Sequence, residues 1–139
     1  MELPELIKGG CYEDERGRLD FNNDINALLA KRIYIIRNVD SEFVRAWQGH
    51  KIERRWFSSI NGAFEIKLIR IDNWESPSKD LQQRMFVLKG NGMDILAVPP
   101  GYVSSIQALE KDSKLLVMVD HALGEVKDEY RYDVDYFND

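Results

Sequence analysis

Cysteine, histidine and long apolar runs are all scarce in this chain. Cys11 stands alone among 139 residues, so no intrachain disulfide can form, and a reducing compartment is the simpler expectation. No apolar run approaches the roughly 20 residues that a membrane-spanning helix needs. The opening MELPELIKGG has neither the basic n-region nor the apolar h-region of a signal peptide. A soluble, cytoplasmic protein with no membrane partner is therefore expected. Surplus positive charge is missing too: 19 Lys and Arg stand against 24 Asp and Glu, a net charge of −5. That balance argues against nucleic-acid binding, because phosphate contacts need clustered cations. It leaves room for a local basic pocket that takes one or two phosphates. Internal repeats, low-complexity tracts and linkers are also absent, and the length suits one domain over residues 1–139.

What is present is a series of short β-type segments. Hydrophobic residues make up 44% of the chain and aromatics 11%, enough for an ordinary globular core. CYEDERGRLDFNN reads as two strands around a turn at Glu15-Arg16-Gly17, and RIYIIRNV as a strand rich in β-branched residues. DINALLAK is expected to form a helical turn or two, capped by Asp24. RRWFSSINGAFEIKLIRID reads as a hairpin whose Asn61-Gly62 pair suits a type I′ turn. Within it Phe64, Ile66 and Leu68 alternate with Glu65 and Lys67, the pattern of a half-buried strand. DNWESPSKD is a loop. QRMFVLKG, MDILAVPP, YVSSIQALE and SKLLVMVDHA continue the series, which points to a sandwich or barrel. The acidic, aromatic tail EVKDEYRYDVDYFND is expected at the surface, as an edge strand or short helix.

The stretch VRAWQGHK, Val44 to Lys51, concentrates the residues able to do chemistry. On a regular strand Gln48 and His50 share one face, whereas Arg45, Trp47, Gly49 and Lys51 share the other. Downstream, Gly62 and the run Pro99-Pro100-Gly101-Tyr102-Val103-Ser104 complete a spacing that resembles the two motifs of the cupin superfamily. Gln48 and His50 stand at its H-x-H positions, Glu53 and Gly62 at its Glu and Gly, and Ser104 at the histidine of its P-x-G-x-x-H. A transition metal usually takes at least three imidazole or carboxylate ligands. One histidine, Glu53 and a neutral amide make a poor set, so no metal and no other cofactor is expected.

From about Asp20 to Phe137 the chain resembles, more narrowly, the cupins that act on dTDP-4-keto-6-deoxyhexoses. These are the 3,4-ketoisomerases with their WxcM-like relatives and, more distantly, the dTDP-4-dehydrorhamnose 3,5-epimerases. Lys31-Arg32-Ile33-Tyr34 matches the isomerases' K-R-x-Y, and Arg45 to Lys51 matches their R-G-x-H-A-H-K with changes at three positions. The resemblance implies an all-β fold, a cupin-type double-stranded β-helix or jelly-roll barrel, and a homodimer. It also implies a metal-independent isomerase or epimerase of a nucleotide-linked 4-keto sugar in surface-polysaccharide synthesis. By the same resemblance His50 is the base and Tyr34 an acid or orienting group. Gln48 occupies the position of a histidine that both families use, and a glutamine cannot act as a base at neutral pH. Arg32, Arg45, Lys51, Tyr102 and Ser104 are the implied substrate contacts. The alternative is a cupin that binds a nucleotide sugar or sugar without turning it over.

Blander readings stand beside these. His50 is equally read as a core histidine satisfied by a neighbour, and Tyr34 as a strand aromatic filling the core. Trp47 and Trp56 are expected to pack or to sit at an interface. The charges from Lys51 to Arg55 are expected to be solvated, as is His121.

Overall fold

Period-two alternation of apolar residues sets most of the architecture. The structure, a computed structural model, describes residues 2–26 and 29–139, and among these there is no helix. The strands in order are β1 (Glu5–Ile7), β2 (Gly10–Asp14), β3 (Gly17–Phe21), β4 (Arg32–Ile36), β5 (Val44–His50) and β6 (Arg55–Asn61). They continue with β7 (Ala63–Arg70), β8 (Gln83–Lys89), β9 (Ile95–Val98), β10 (Tyr102–Ala108), β11 (Lys114–Val119) and β12 (Tyr130–Arg131). Two five-stranded sheets result, in the orders β1-β9-β6-β11-β4 and β12-β5-β10-β7-β8, with the β2–β3 hairpin apart. The pairings are antiparallel throughout.

Side chains from both sheets meet in one apolar core. Phe57, Leu96, Leu115, Val117 and Val119 from the first sheet pack with Phe64, Ile66, Leu68, Leu88 and Ile106 from the second. Each such burial removes apolar area worth roughly 1.5–3 kcal/mol per large side chain. The expected alternation on β7 is present: Phe64, Ile66 and Leu68 are fully buried, whereas Glu65 and Lys67 between them are half-buried.

One local expectation is corrected, and another falls partly outside the described residues. The segment through Asn61-Gly62 is not a hairpin, because β6 belongs to the first sheet and β7 to the second. Gly62 alone takes a positive φ, 71°, and turns the chain from sheet to sheet. A Cβ there would lie 2.1 Å from Ser113 Oγ, so the corner needs glycine for space as well as for conformation. The helical turn expected across 24–31 runs through residues 27 and 28, outside the described residues; 24–26 and 29–30 on either side are not helical.

A bulge in β5 rearranges the stretch of greatest interest. Gln48 lies opposite Ser104 and Arg45 opposite Ile106, so Ala46 and Trp47 together face the single residue Ser105. Since Ser104 and Ile106 share a face of β10, Arg45 and Gln48 share a face of β5. The parity expected of a regular strand is thereby overturned for Arg45. Trp47 points to the opposite side, into a second cluster with Ile69, Val103 and Phe137. Its indole N–H donates to the Val134 carbonyl at 3.1 Å. The tail is therefore only partly at the surface: β12 pairs with β5, and Phe137 and Asp128 are buried.

Candidate active site

The cleft opens where β4 edges one sheet and β5 with β12 edge the other. It has two lobes, with cavity volumes of about 880 Å³ and 530 Å³, that share Tyr34, Gln48, His50 and Arg55. Residues Leu123 to Tyr130 wall the larger lobe. The smaller lobe is strongly cationic, lined by Arg37, Arg45, Arg55 and Arg131 together with Ser104.

His50 stands at the junction with one nitrogen already committed. Its Nδ1 lies 3.0 Å from the Asp128 carbonyl oxygen and 3.4 Å from Glu53 Oε1. Both neighbours can only accept, so Nδ1 carries the hydrogen and Nε2 of the neutral ring carries the lone pair. Among the described residues Nε2 has no protein partner and no buried side-chain nitrogen or oxygen lacks one, so Nε2 is open to the cleft. Burial, and then the Arg55 guanidinium, push the histidine from its ordinary 6.5 down to about 4, outweighing the Asp128 carbonyl. Glu53 does not reverse this, because its charge is taken up elsewhere: Oε1 meets Arg55 Nη1 at 3.1 Å and Oε2 meets Arg32 Nη1 at 3.7 Å. His50 is thus neutral, with an accessible lone pair, at any pH near neutrality.

This depression ties stability to pH. The unfolded chain takes up a proton on His50 near 6.5 and the folded chain only near 4, so the unfolded state binds more protons between those values. The contribution is intact above about pH 6.5 and is lost progressively as pH falls towards 4, reaching about 3 kcal/mol. Thermal melts of wild type and His50→Asn should share one pH dependence above about pH 6.5 and diverge between 6.5 and 4, where only the wild type carries the histidine's slope. Equal slopes for both proteins would show that His50 is not buried as a neutral ring.

The resemblance to cupins raises the question of a metal. His50, Glu53 and Asp128 each bring one ligand atom within 4.8 Å of the others. The atoms that face one another are engaged already: His50 Nδ1 is turned to the Asp128 carbonyl, and its free Nε2 points to the cleft. Asp128 Oδ1 accepts the Lys51 N–H, and its Oδ2 accepts those of Ile52 and Glu53, at 2.7–2.8 Å. Glu53 faces two guanidinium groups, which also repel a cation. These residues do not fit a metal centre.

Gln48 is similarly tied on one side. Its Nε2–H donates to Glu129 Oε1 at 2.7 Å, an oxygen that also accepts from Arg131, leaving the amide oxygen as the free end of the side chain. Of the residues singled out in the sequence, Arg32, Tyr34, Arg45, Gln48, His50 and Ser104 line the cleft. Lys51 and Tyr102 do not. Lys51 is exposed and meets Asp128 only through its backbone. Tyr102 is buried in the core, its hydroxyl donating to the Glu2 carbonyl at 3.3 Å. The expectation that the charges from Lys51 to Arg55 are solvated fails for Glu53 and Arg55, which are buried against each other. Arg55, Asp128, Glu129 and Arg131 were not anticipated. Only its place at the head of the apolar strand β6 could have hinted at Arg55.

No protein-family profile and no curated protein matches the chain. Solved structures do. A variant of the 3,4-ketoisomerase QdtA from Thermoanaerobacterium thermosaccharolyticum, bound to TDP-4-keto-6-deoxyglucose, superposes with TM-score 0.72 at 23% identity, over 93% of this chain and 87% of its own. The TDP-quinovose 3,4-ketoisomerase WlaRB from Campylobacter jejuni gives 0.69 at 18% identity over 95% of both chains. The dTDP-4-dehydrorhamnose 3,5-epimerase of Bacillus anthracis, with TDP and PPi bound, gives 0.68 at 16% identity over 96% of this chain and 75% of its own. The chain thus has the all-β, cupin-type fold of these sugar-nucleotide isomerases and epimerases.

Proposed function

We propose that this protein is a metal-independent isomerase or epimerase acting on a dTDP-linked 4-keto-6-deoxysugar. The observation that carries the reading is His50: a neutral imidazole, its tautomer set by the Asp128 carbonyl, with Nε2 open to a cleft rich in arginine. Nε2 takes the proton from a carbon beside the keto group, and the electron pair moves onto the carbonyl oxygen to give an enediolate. Arginine side chains lining the cleft stabilise the negative oxygen. In isomerisation the imidazolium returns the proton to the former carbonyl carbon while the hydroxyl proton of the first carbon passes to the enediolate oxygen. In epimerisation the Tyr34 hydroxyl delivers a proton to the first carbon from the opposite face, and solvent restores both groups. A conjugate acid near 4 makes a weak base, and a bound pyrophosphate corrects this, because negative charge beside Arg55 stabilises the imidazolium. By the resemblance of its sequence the chain would serve surface-polysaccharide synthesis.

The ligand class is tested by thermal shift. A ligand present at about 100 times its dissociation constant adds about 2.7 kcal/mol to stability. dTDP and dTDP-glucose should therefore raise the melting temperature by several degrees, and free glucose should not. No shift with any nucleotide would remove the nucleotide-sugar reading. Gln48 favours a second reading, a cupin that binds such a sugar without turnover, since its amide cannot carry a proton between carbons. We also propose a homodimer: Ile33, 64% exposed, and Ile35 lie on the edge strand β4 beside the cleft, a surface that a second copy would cover. Sedimentation should give twice the 16.2 kDa chain mass, and a monomer would refute it.

A further inference from the structure

Among the described residues Asp128 has no salt-bridge partner, although it is among the most deeply buried of the charged residues, at 4% exposure. Its carboxylate instead accepts three successive backbone N–H groups, from Lys51, Ile52 and Glu53, at 2.8, 2.8 and 2.7 Å. Its own carbonyl holds His50 Nδ1 at 3.0 Å. One residue of the C-terminal segment therefore grips both the end of β5 and the turn that follows it, across 75 to 78 positions of sequence.

We infer that Asp128 is a positioning residue: through its bonds to the backbone and to the ring it fixes the tautomer and aim of His50 and seats Glu53, whose Oε1 lies 3.4 Å from the ring Nδ1. The inference rests on the reading of His50 as the base, but its test does not. A turn that exposes three consecutive N–H groups to the protein interior must find three acceptors. Only a carboxylate offers two oxygens with four lone-pair sites and no donor to interfere. An asparagine supplies one oxygen and an NH₂ that confronts at least one N–H of the turn. With the grip loosened, the segment from Leu123 to Tyr130 moves off the larger lobe, and the His50 ring loses the acceptor that keeps the hydrogen on Nδ1. Nδ1 and Nε2 tautomers then mix, and part of the population presents an N–H to the cleft where a lone pair is required.

Histidine ¹⁵N NMR reads this directly and needs no substrate. Wild type above pH 6 should show His50 with a protonated Nδ1 and an unprotonated Nε2, and slow exchange of the Lys51, Ile52 and Glu53 amides. In Asp128→Asn the two ring nitrogens should move towards averaged shifts and those amides should exchange at least tenfold faster, while amides of β7 stay protected. Turnover, where present, should fall in kcat more than in KM. An Nε2–H tautomer in wild type would overturn the inference without any variant. So would a folded Asp128→Asn protein with unchanged His50 shifts and unchanged amide protection. Absence of turnover in wild type together with the predicted ¹⁵N pattern would instead count against the isomerase reading and leave the positioning role standing.

Discussion

Arg55→Ala should destabilise the fold by about 3–5 kcal/mol, the cost typical of leaving one partner of a buried ion pair without the other. Arg55 is 8% exposed and Glu53 7%, and the guanidinium meets Oε1 at 3.1 Å. Arg32, on the other carboxylate oxygen at 3.7 Å, is the longer contact and cannot replace it. Without Arg55 the Glu53 carboxylate must take up a proton or turn its charge on His50, 3.4 Å away. The second response raises the histidine's affinity for a proton, so the variant should show a shallower His50-dependent slope of stability between pH 6.5 and 4, the part due to burial remaining, as well as lower stability. Arg54→Ala is the control. Its partner Glu2 is 63% exposed, and such pairs contribute at most about 1 kcal/mol. Urea unfolding of the two variants decides the matter: similar midpoints would mean that Arg55 and Glu53 do not form a dry pair.

The second large effect falls on chemistry. His50→Ala removes the one unprotonated ring nitrogen open to the cleft, and loss of a general base typically lowers rate by about 10²–10⁴. Affinity for dTDP should change little, because the arginines of the smaller lobe are untouched. Gln48→His is the informative partner. It places a second imidazole against Glu129, whose oxygen now accepts from the amide at 2.7 Å. A gain in turnover in that variant would show that the glutamine limits the native rate. Unchanged turnover would show that His50 works alone.

Part of the fold is legible in the chain because burial on one sheet face imposes alternation, and β4, β7 and β11 display it in their burial, whereas the central strand β10 is buried on both faces. The failures have physical causes. A bulge inserts one residue and leaves no compositional mark, so nothing in VRAWQGH announces that Arg45 returns to the face of Gln48. Asn-Gly signals a positive φ, which a hairpin and a sheet-to-sheet corner both need, and only the pairing of β6 and β7 distinguishes them. Buried charges are the hardest to foresee. Glu53 and Arg55 look solvated because in isolation they would be, and Asp128 is silent because its partners are backbone amides 75 or more residues away. His50 and Gln48 were visible through spacing, whereas the tautomer of one and the tether of the other depend on a tail that read as surface.

Deuterium exchange tests the central claim most directly. The protein is incubated with a dTDP-4-keto-6-deoxyhexose in deuterated water, and the sugar protons are followed by NMR beside His50→Ala. A neutral His50 acting as base predicts deuterium at a carbon adjacent to the keto group, with the signal lost in the variant. No exchange from wild type, with a ligand shown by thermal shift to be bound, would contradict catalysis and leave a nucleotide-sugar-binding cupin.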